Sequence, residues 1–296
     1  MYLSVLFFIL ATAVTSYRIQ YFLYSPEHQN EPILIGPNNA SRYVQRDYPV
    51  RIFIHGWTGS RESPFYPLLK KALFSRGKFY IIQVDFSELA KKNYILVAKK
   101  SPEVGVQIAD FILNITKAGY PLANIELIGH SIGGQVAGYA GERIIEKTSR
   151  KLSKITALDP AGPLFELFKL NGRSLNRSHA VVVFAIHSDR NVLGNFGDVG
   201  TTDVYPNGGV GPQPGCPFLI GICSHARSWQ YFTNATARPG TILAEKCKSN
   251  NNFKNGKCNN SRIIDLGGDI TVEDEGRYYL KTNSEPPFKS LIPAGE

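Results

Sequence analysis

Ile125-Glu126-Leu127-Ile128-Gly129-His130-Ser131-Ile132-Gly133-Gly134-Gln135 is the stretch on which the reading of this chain turns. Ile125–Ile128 is mostly apolar and short, as a buried strand is, and Gly129-His130-Ser131-Ile132-Gly133 follows at once. From Ile132 to Lys147 the pattern is helical. A Gly-x-Ser-x-Gly turn between strand and helix is the setting of a nucleophile elbow, in which a strained backbone lifts the serine hydroxyl into the open. Glycines two residues to either side let neighbouring chain approach. Gly134, Gly138 and Gly141 each cost the helix about 1 kcal/mol relative to alanine, so a close contact on that face is expected. The competing reading is an ordinary glycine-rich turn, which has no need of a strand before it and a helix after it.

Outward from that turn, Val50–Ile54, Phe79–Val84, Ile155–Leu158 and Ala180–Ile186 are apolar, β-branched runs. Runs of this kind belong to strands covered on both faces. Pro102–Lys117 puts Val106, Ala109, Ile112 and Leu113 on one helical side. Strand–helix–strand alternation predicts an α/β fold with a mostly parallel central sheet flanked by helices and right-handed crossovers. Residues 194–222 are rich in Gly and Pro and read as loops; Arg277–Lys281 reads as a terminal strand. No repeat or linker divides the chain, which predicts one domain over residues 17–296.

The whole sequence has 296 residues, 43% of them hydrophobic, with 33 Lys and Arg against 24 Asp and Glu for a net charge of +9. These values exclude a disordered, collagen-like or disulfide-only chain, and the length supports a large core. Residues 1–16 carry no charge, and their apolar run Val5–Leu10 is too short to span a bilayer. They read as a secretory signal peptide, although no Lys or Arg precedes the run. Asn39, Asn114, Asn176, Asn234 and Asn259 each begin an N-x-Ser/Thr sequon. Cys216, Cys223, Cys247 and Cys258 allow three pairings. The sequential one, Cys216–Cys223 with Cys247–Cys258, is favoured over a zinc site, which lacks a C-x-x-C pair; each bond would contribute roughly 2.5–3 kcal/mol.

A serine hydroxyl needs a base to take its proton, and in this kind of fold the acid and then the histidine follow the serine in the chain. Asp159 ends a strand and precedes Pro160; Asp189, Asp198 and Asp203 also lie in the interval. His225, in a loop held by Cys223, is preferred as base to His179 and to His187, which ends a buried strand. The oxyanion of an attacked ester needs two backbone donors. The N–H of Ile132 supplies one by position, and that of Trp57, in Ile54-His55-Gly56-Trp57, is chosen for the other.

These motifs, with VDF (84–86), GHSIGGQVAGYAG (129–141), ALDPAGPLF (157–165), IHSD (186–189), DVYPNGG (203–209), QPGC (213–216) and CSHARS (223–228), resemble the pancreatic (neutral) lipase family of α/β-hydrolases across most of the chain. The resemblance implies a triad of Ser131, Asp159 and His225, with Trp57 and Ile132 as oxyanion donors. It also marks departures. Full-lid members carry a long segment between the cysteines matching Cys216 and Cys223, where this chain has only Pro217–Ile222, and the loop from His187 to Gly200 is also short. Both resemble the phospholipase A1 branch. Phe218, Leu219, Ile220 and Ile222 then face a lipid surface or pack beneath their own loop.

The C-terminal β-sandwich that binds colipase or heparin in larger members is not expected after Ala294. Asn176 and His179 lie in Arg173–Ala180, where some members bind calcium through aspartates, so no metal and no cofactor is expected. The expectation is a secreted phospholipase A1 that makes transient membrane contact, with triacylglycerol lipase or galactolipase as alternatives. A non-catalytic, yolk-protein-like lipid carrier is the alternative of another class. Nucleic-acid binding is not expected, because Lys91–Lys92 and Lys99–Lys100 form only a small basic patch.

Overall fold

A computed structural model describes residues 17–166, 174–190, 192–218, 221–258 and 262–291. The segment read as a signal peptide (1–16), Arg173, Leu219, Ile220 and Asn259 lie outside the described residues. In chain order the strands are β1 (Gln20–Tyr24), β2 (Ile33–Ile35), β3 (Val50–Ile54), β4 (Tyr80–Asp85), β5 (Ile125–His130), β6 (Leu152–Leu158), β7 (Ala180–Ile186), β8 (Thr202–Pro206), β9 (Leu243–Lys246), β10 (Ile263–Asp265) and β11 (Gly276–Leu280). The helices are α1 (Ala40–Tyr43), α2 (Phe65–Phe74), α3 (Ser87–Ala90), α4 (Tyr94–Lys117), α5 (Ile132–Thr148), α6 (Ile222–Ala237) and α7 (Asn250–Lys254).

All eleven strands join one sheet in the order β10-β9-β11-β8-β7-β6-β5-β3-β4-β1-β2. From β4 through β8 to β11 the neighbours are parallel; β1, β2, β9 and β10 pair antiparallel at the edges. Helices cover both faces. α4 and α5 bury Ile108, Ile112, Val136 and Ile144 against one apolar cluster, and α2 and α6 bury Tyr66, Leu69, Tyr231 and Phe232 in another. This is the α/β-hydrolase architecture.

The chain passes from β3 outward to β4 and then returns to place β5 on the other side of β3. Ligand crevices of open α/β sheets form at such a reversal, beyond the carboxyl ends of the strands. Gly129 lies opposite Ile54 and His130 opposite Leu158, so β3, β5 and β6 all end at this crevice.

The structure departs from the sequence reading in three places. α4 starts at Tyr94, a full two turns before Pro102, which sits inside the helix. Proline cannot donate to the carbonyl four residues back; here Ser101 Oγ donates to Ala98 O instead (2.8 Å). Val106 is only half-buried, while Ile108 and Phe111 are fully buried. Residues 194–222 are not all loop, because they contain β8, buried at every position. Its polar residues are satisfied: Thr202 Oγ1 donates to Asp274 O (2.8 Å), and Asp203 accepts from His187 Nε2 (2.8 Å) and from the Gly200 N–H (3.0 Å). Finally, His225 is on the first turn of α6 rather than in a loop, its N–H donating to Gly221 O (2.7 Å). Cys216–Cys223 and Cys247–Cys258 are both bonded.

Candidate active site

Ser131 stands between β5 and α5 with φ 58° and ψ −125°. A side chain in that region costs about 1–3 kcal/mol and persists only where the surroundings impose it. They do so through contact. A Cβ on Gly129 would lie 2.2 Å from Gly133 O, and one on Gly133 would lie 2.2 Å from Ile54 O. The two glycines let α5 begin hard against β5 and the end of β3, which leaves the serine no room to relax. Hydrogen bonds from Ser131 N to Leu158 O (3.1 Å) and from Ala161 N to Ser131 O (3.1 Å) lock the turn to β6.

Asp159 follows β6 with φ 45° and no exposed surface. Its Oδ1 accepts from the N–H groups of Ser188 (2.7 Å) and Asp189 (3.1 Å), and its Oδ2 accepts from His225 Nδ1 (2.6 Å). With Nδ1 donating, the neutral His225 ring keeps Nε2 as its free base. The main chain of His225 is held as well, its carbonyl accepting from His130 Nε2 (3.2 Å) and from Ser228 Oγ (3.0 Å). Burial, together with the neighbouring His225, drives the His130 imidazole well below its usual range. His130 is therefore neutral, and its ring lies 4.6 Å from that of His225. Among the described residues no hydrogen bond joins Ser131 Oγ to His225. Such bonds are often long in unliganded hydrolases and tighten in the substrate complex.

Neither the Trp57 N–H nor the Ile132 N–H has an acceptor among the described residues, and Ile132 has no exposed surface. A buried N–H without a partner is rare. The loop bearing Trp57 is pinned from several sides: Trp57 Nε1 donates to Lys92 O (2.8 Å) and Thr58 N to Ala90 O (2.9 Å). His55, buried beneath, donates from Nδ1 to Gly56 O (2.9 Å) and accepts at Nε2 from Phe86 N (3.2 Å). In this arrangement Nδ1 is the donor and Nε2 the acceptor, with Asp85 Oδ1 3.6 Å from Nε2.

Sequence reasoning passed over Gly56 and His55. A Cβ at Gly56 would lie 2.8 Å from Ser131 Cβ and 3.2 Å from Ser131 Oγ. That contact joins residues far apart in the chain, and no local pattern announces it. Of the rejected alternatives, His187 pairs with Asp203 in the interior, and Asp198 pairs with Arg277 at the surface. Of the segment between Cys216 and Cys223, Phe218 is 85% exposed and Ile222 66%, so neither packs beneath the loop. Asn176 Nδ2 lies 2.8 Å from His179 Nε2.

The family model described as Lipase matches residues 9–288. The chain belongs to the lipase family. Curated relatives include phospholipase A1 of Vespa crabro, 32% identical over 251 residues, which are 80% of this chain and 82% of that protein. The probable phospholipase A1 magnifin of Vespa magnifica is 32% identical over 288 residues, 92% of this chain and 85% of that one. Lipoprotein lipase of Homo sapiens is 34% identical over 268 residues, but this chain spans only 55% of its length.

Proposed function

We propose that this carboxylic ester hydrolase is a secreted phospholipase A1, which releases the sn-1 fatty acid through an acyl-enzyme on Ser131. The observation that carries the chemistry is the strained turn at Ser131, together with a His225 ring whose Nδ1 is held 2.6 Å from a buried carboxylate. Ser131 Oγ attacks the ester carbonyl carbon while His225 Nε2 takes its proton. The negative charge formed on the carbonyl oxygen is received by the N–H groups of Trp57 and Ile132, each such donor worth roughly 2.7–4 kcal/mol of barrier. The imidazolium gives its proton to the departing glycerol oxygen, and the carbon–oxygen bond breaks. Water, deprotonated by His225, then attacks the acyl-enzyme to release the fatty acid and restore Ser131.

Phospholipase is preferred because the phospholipases A1 of Vespa crabro and Vespa magnifica are each matched over 80% or more of both lengths. The short span from Cys216 to Cys223 supports the same reading, since it is too small to close over the serine. Phe218 and Ile222 meet lipid from that span, beside Val192, which is 52% exposed. Triacylglycerol hydrolysis is the second reading, supported by the 34% identity to lipoprotein lipase. Two disulfides fit an oxidising, extracellular compartment, and residues 17–296 are read as one catalytic domain.

The test is hydrolysis of phosphatidylcholine carrying different acyl chains at its two positions, beside triolein emulsion. Release of the sn-1 acid with little activity on triolein is expected; strong triolein activity with none on phospholipid overturns the assignment. Labelling of Ser131 by a fluorophosphonate is expected, and its failure in the folded protein supports the non-catalytic carrier.

A further inference from the structure

The loop that carries the Trp57 N–H is fastened to a cationic surface. Its two bonds to Ala90 and Lys92 tie it to residues 87–103, where four lysines face two glutamates, Glu88 and Glu103. Lys100 pairs with Glu103, and Glu88 accepts from the Arg18 N–H (3.1 Å). Lys91, Lys92 and Lys99 are exposed, and among the described residues none of them has an acidic partner. Apolar surface lies among them. Trp57 is 44% exposed, edge-on to Tyr94 at 5.3 Å, and Ile95 is 56% exposed, one helical turn before Lys99.

Unpaired ammonium groups around an exposed indole and an exposed aliphatic side chain match a membrane interface: the charges meet lipid phosphates, and the apolar groups enter the headgroup layer. A soluble polyanion would satisfy the lysines but leave Ile95 in water. Extending the lipid reading above, we propose that Trp57, Lys91, Lys92, Ile95 and Lys99 form a docking surface for anionic phospholipid bilayers, which sets the serine site against negatively charged lipid in preference to zwitterionic lipid. Because Trp57 belongs to this surface, docking also holds the oxyanion loop at the bilayer.

The experiment measures binding alone, so that it stands apart from any failure of hydrolysis. The Ser131→Ala protein is sedimented with phosphatidylcholine vesicles, with and without a minor fraction of phosphatidylglycerol. Tighter binding to the anionic vesicles is expected, with the preference fading as salt rises. Replacing Lys91, Lys92 and Lys99 together by Ala is expected to lose about fivefold per lysine, roughly hundredfold in all, on anionic vesicles only. Ile95→Ser is expected to weaken binding to both kinds. Near-ultraviolet circular dichroism matching that of the parent shows that the variants are folded. An unchanged anionic preference in the triple variant overturns the proposal. So does heparin binding as tight as vesicle binding together with no effect of Ile95→Ser, which assigns the lysines to a soluble polyanion.

Discussion

The backbone N–H of Asp189 donates to Oδ1 of Asp159 at 3.1 Å, while one oxygen of Asp189's own fully buried carboxyl has no partner. Burial pushes the Asp189 carboxyl up to about 6; the Asp159 charge adds to this, and the Leu193 N–H and His225 oppose it. A carboxyl raised in the folded state contributes stability that is complete below the unfolded value, near 4, and is lost as pH rises through about 6. Asp189→Asn removes that loss. Relative to the parent, the variant should gain of order 2 kcal/mol between pH 4.5 and 7.5, read from urea midpoints at both values. A pH-independent difference would show that Asp189 is already ionised without cost.

Asp159 contributes geometry and charge together, and the two can be separated. Asn at this position still accepts from the Ser188 and Asp189 N–H groups, so the fold should survive. The amide no longer holds His225 as the Nδ1–H tautomer, and turnover of a soluble ester should fall by about 10³–10⁴. Retained turnover in Asp159→Asn would mean that another carboxyl orients the ring, with Asp189 the first to examine.

Much of this arrangement was legible before any coordinates. Val50–Ile54, Ile125–Ile128 and Ala180–Ile186 are strands buried at nearly every position on both faces, Val181 excepted, and a largely apolar run records that directly. β8 hid because its Thr202 bonds to Asp274 O, 72 residues away, so polarity that looked like loop is satisfied at long range. The start of α4 hid behind Pro102, whose cost is met by Ser101. The glycines of the elbow were readable as a motif, whereas Gly56 acquires meaning only where β3 ends against Ser131.

His55 never meets substrate in this reading, yet its Nδ1–H fixes the carbonyl of Gly56 and thereby the peptide that presents the Trp57 N–H. His55→Phe keeps the aromatic stack on Phe86, 4.0 Å away, and loses the bonds to Gly56 O and from Phe86 N. kcat on a soluble ester should fall by about 10–100-fold with KM little changed, a smaller effect than removing an oxyanion donor outright. A rise in KM at constant kcat would place His55 in substrate binding instead.

Two of the sequons, Asn39 and Asn234, are not equivalent once folded. Asn234 Nδ2, the atom a glycan would occupy, donates to Phe288 O at 2.7 Å, and Thr236 Oγ1 is turned to Phe232 O. Asn39 uses only its Oδ1, accepting from the Gly36 N–H at 2.8 Å. Peptide mass spectrometry of the secreted protein should find Asn39 able to carry glycan and Asn234 bare; substantial occupancy at Asn234 contradicts the packing of the 283–291 segment on α6.

The strain at Ser131 should be measurable as stability withheld from the fold. Ser131→Ala and Ser131→Gly both delete the hydroxyl, so they share its loss of activity and differ chiefly in whether a Cβ must occupy φ 58°, ψ −125°. Glycine enters that region freely, while its greater freedom in the unfolded chain returns about 0.5–1 kcal/mol of the gain. Against about 1–3 kcal/mol of strain, the glycine variant should be the more stable of the two by roughly 0.5–2 kcal/mol, seen as the higher midpoint in urea. If alanine proves equal or better, the elbow is relaxed, and the serine is held out by the contacts of Gly129 and Gly133 alone.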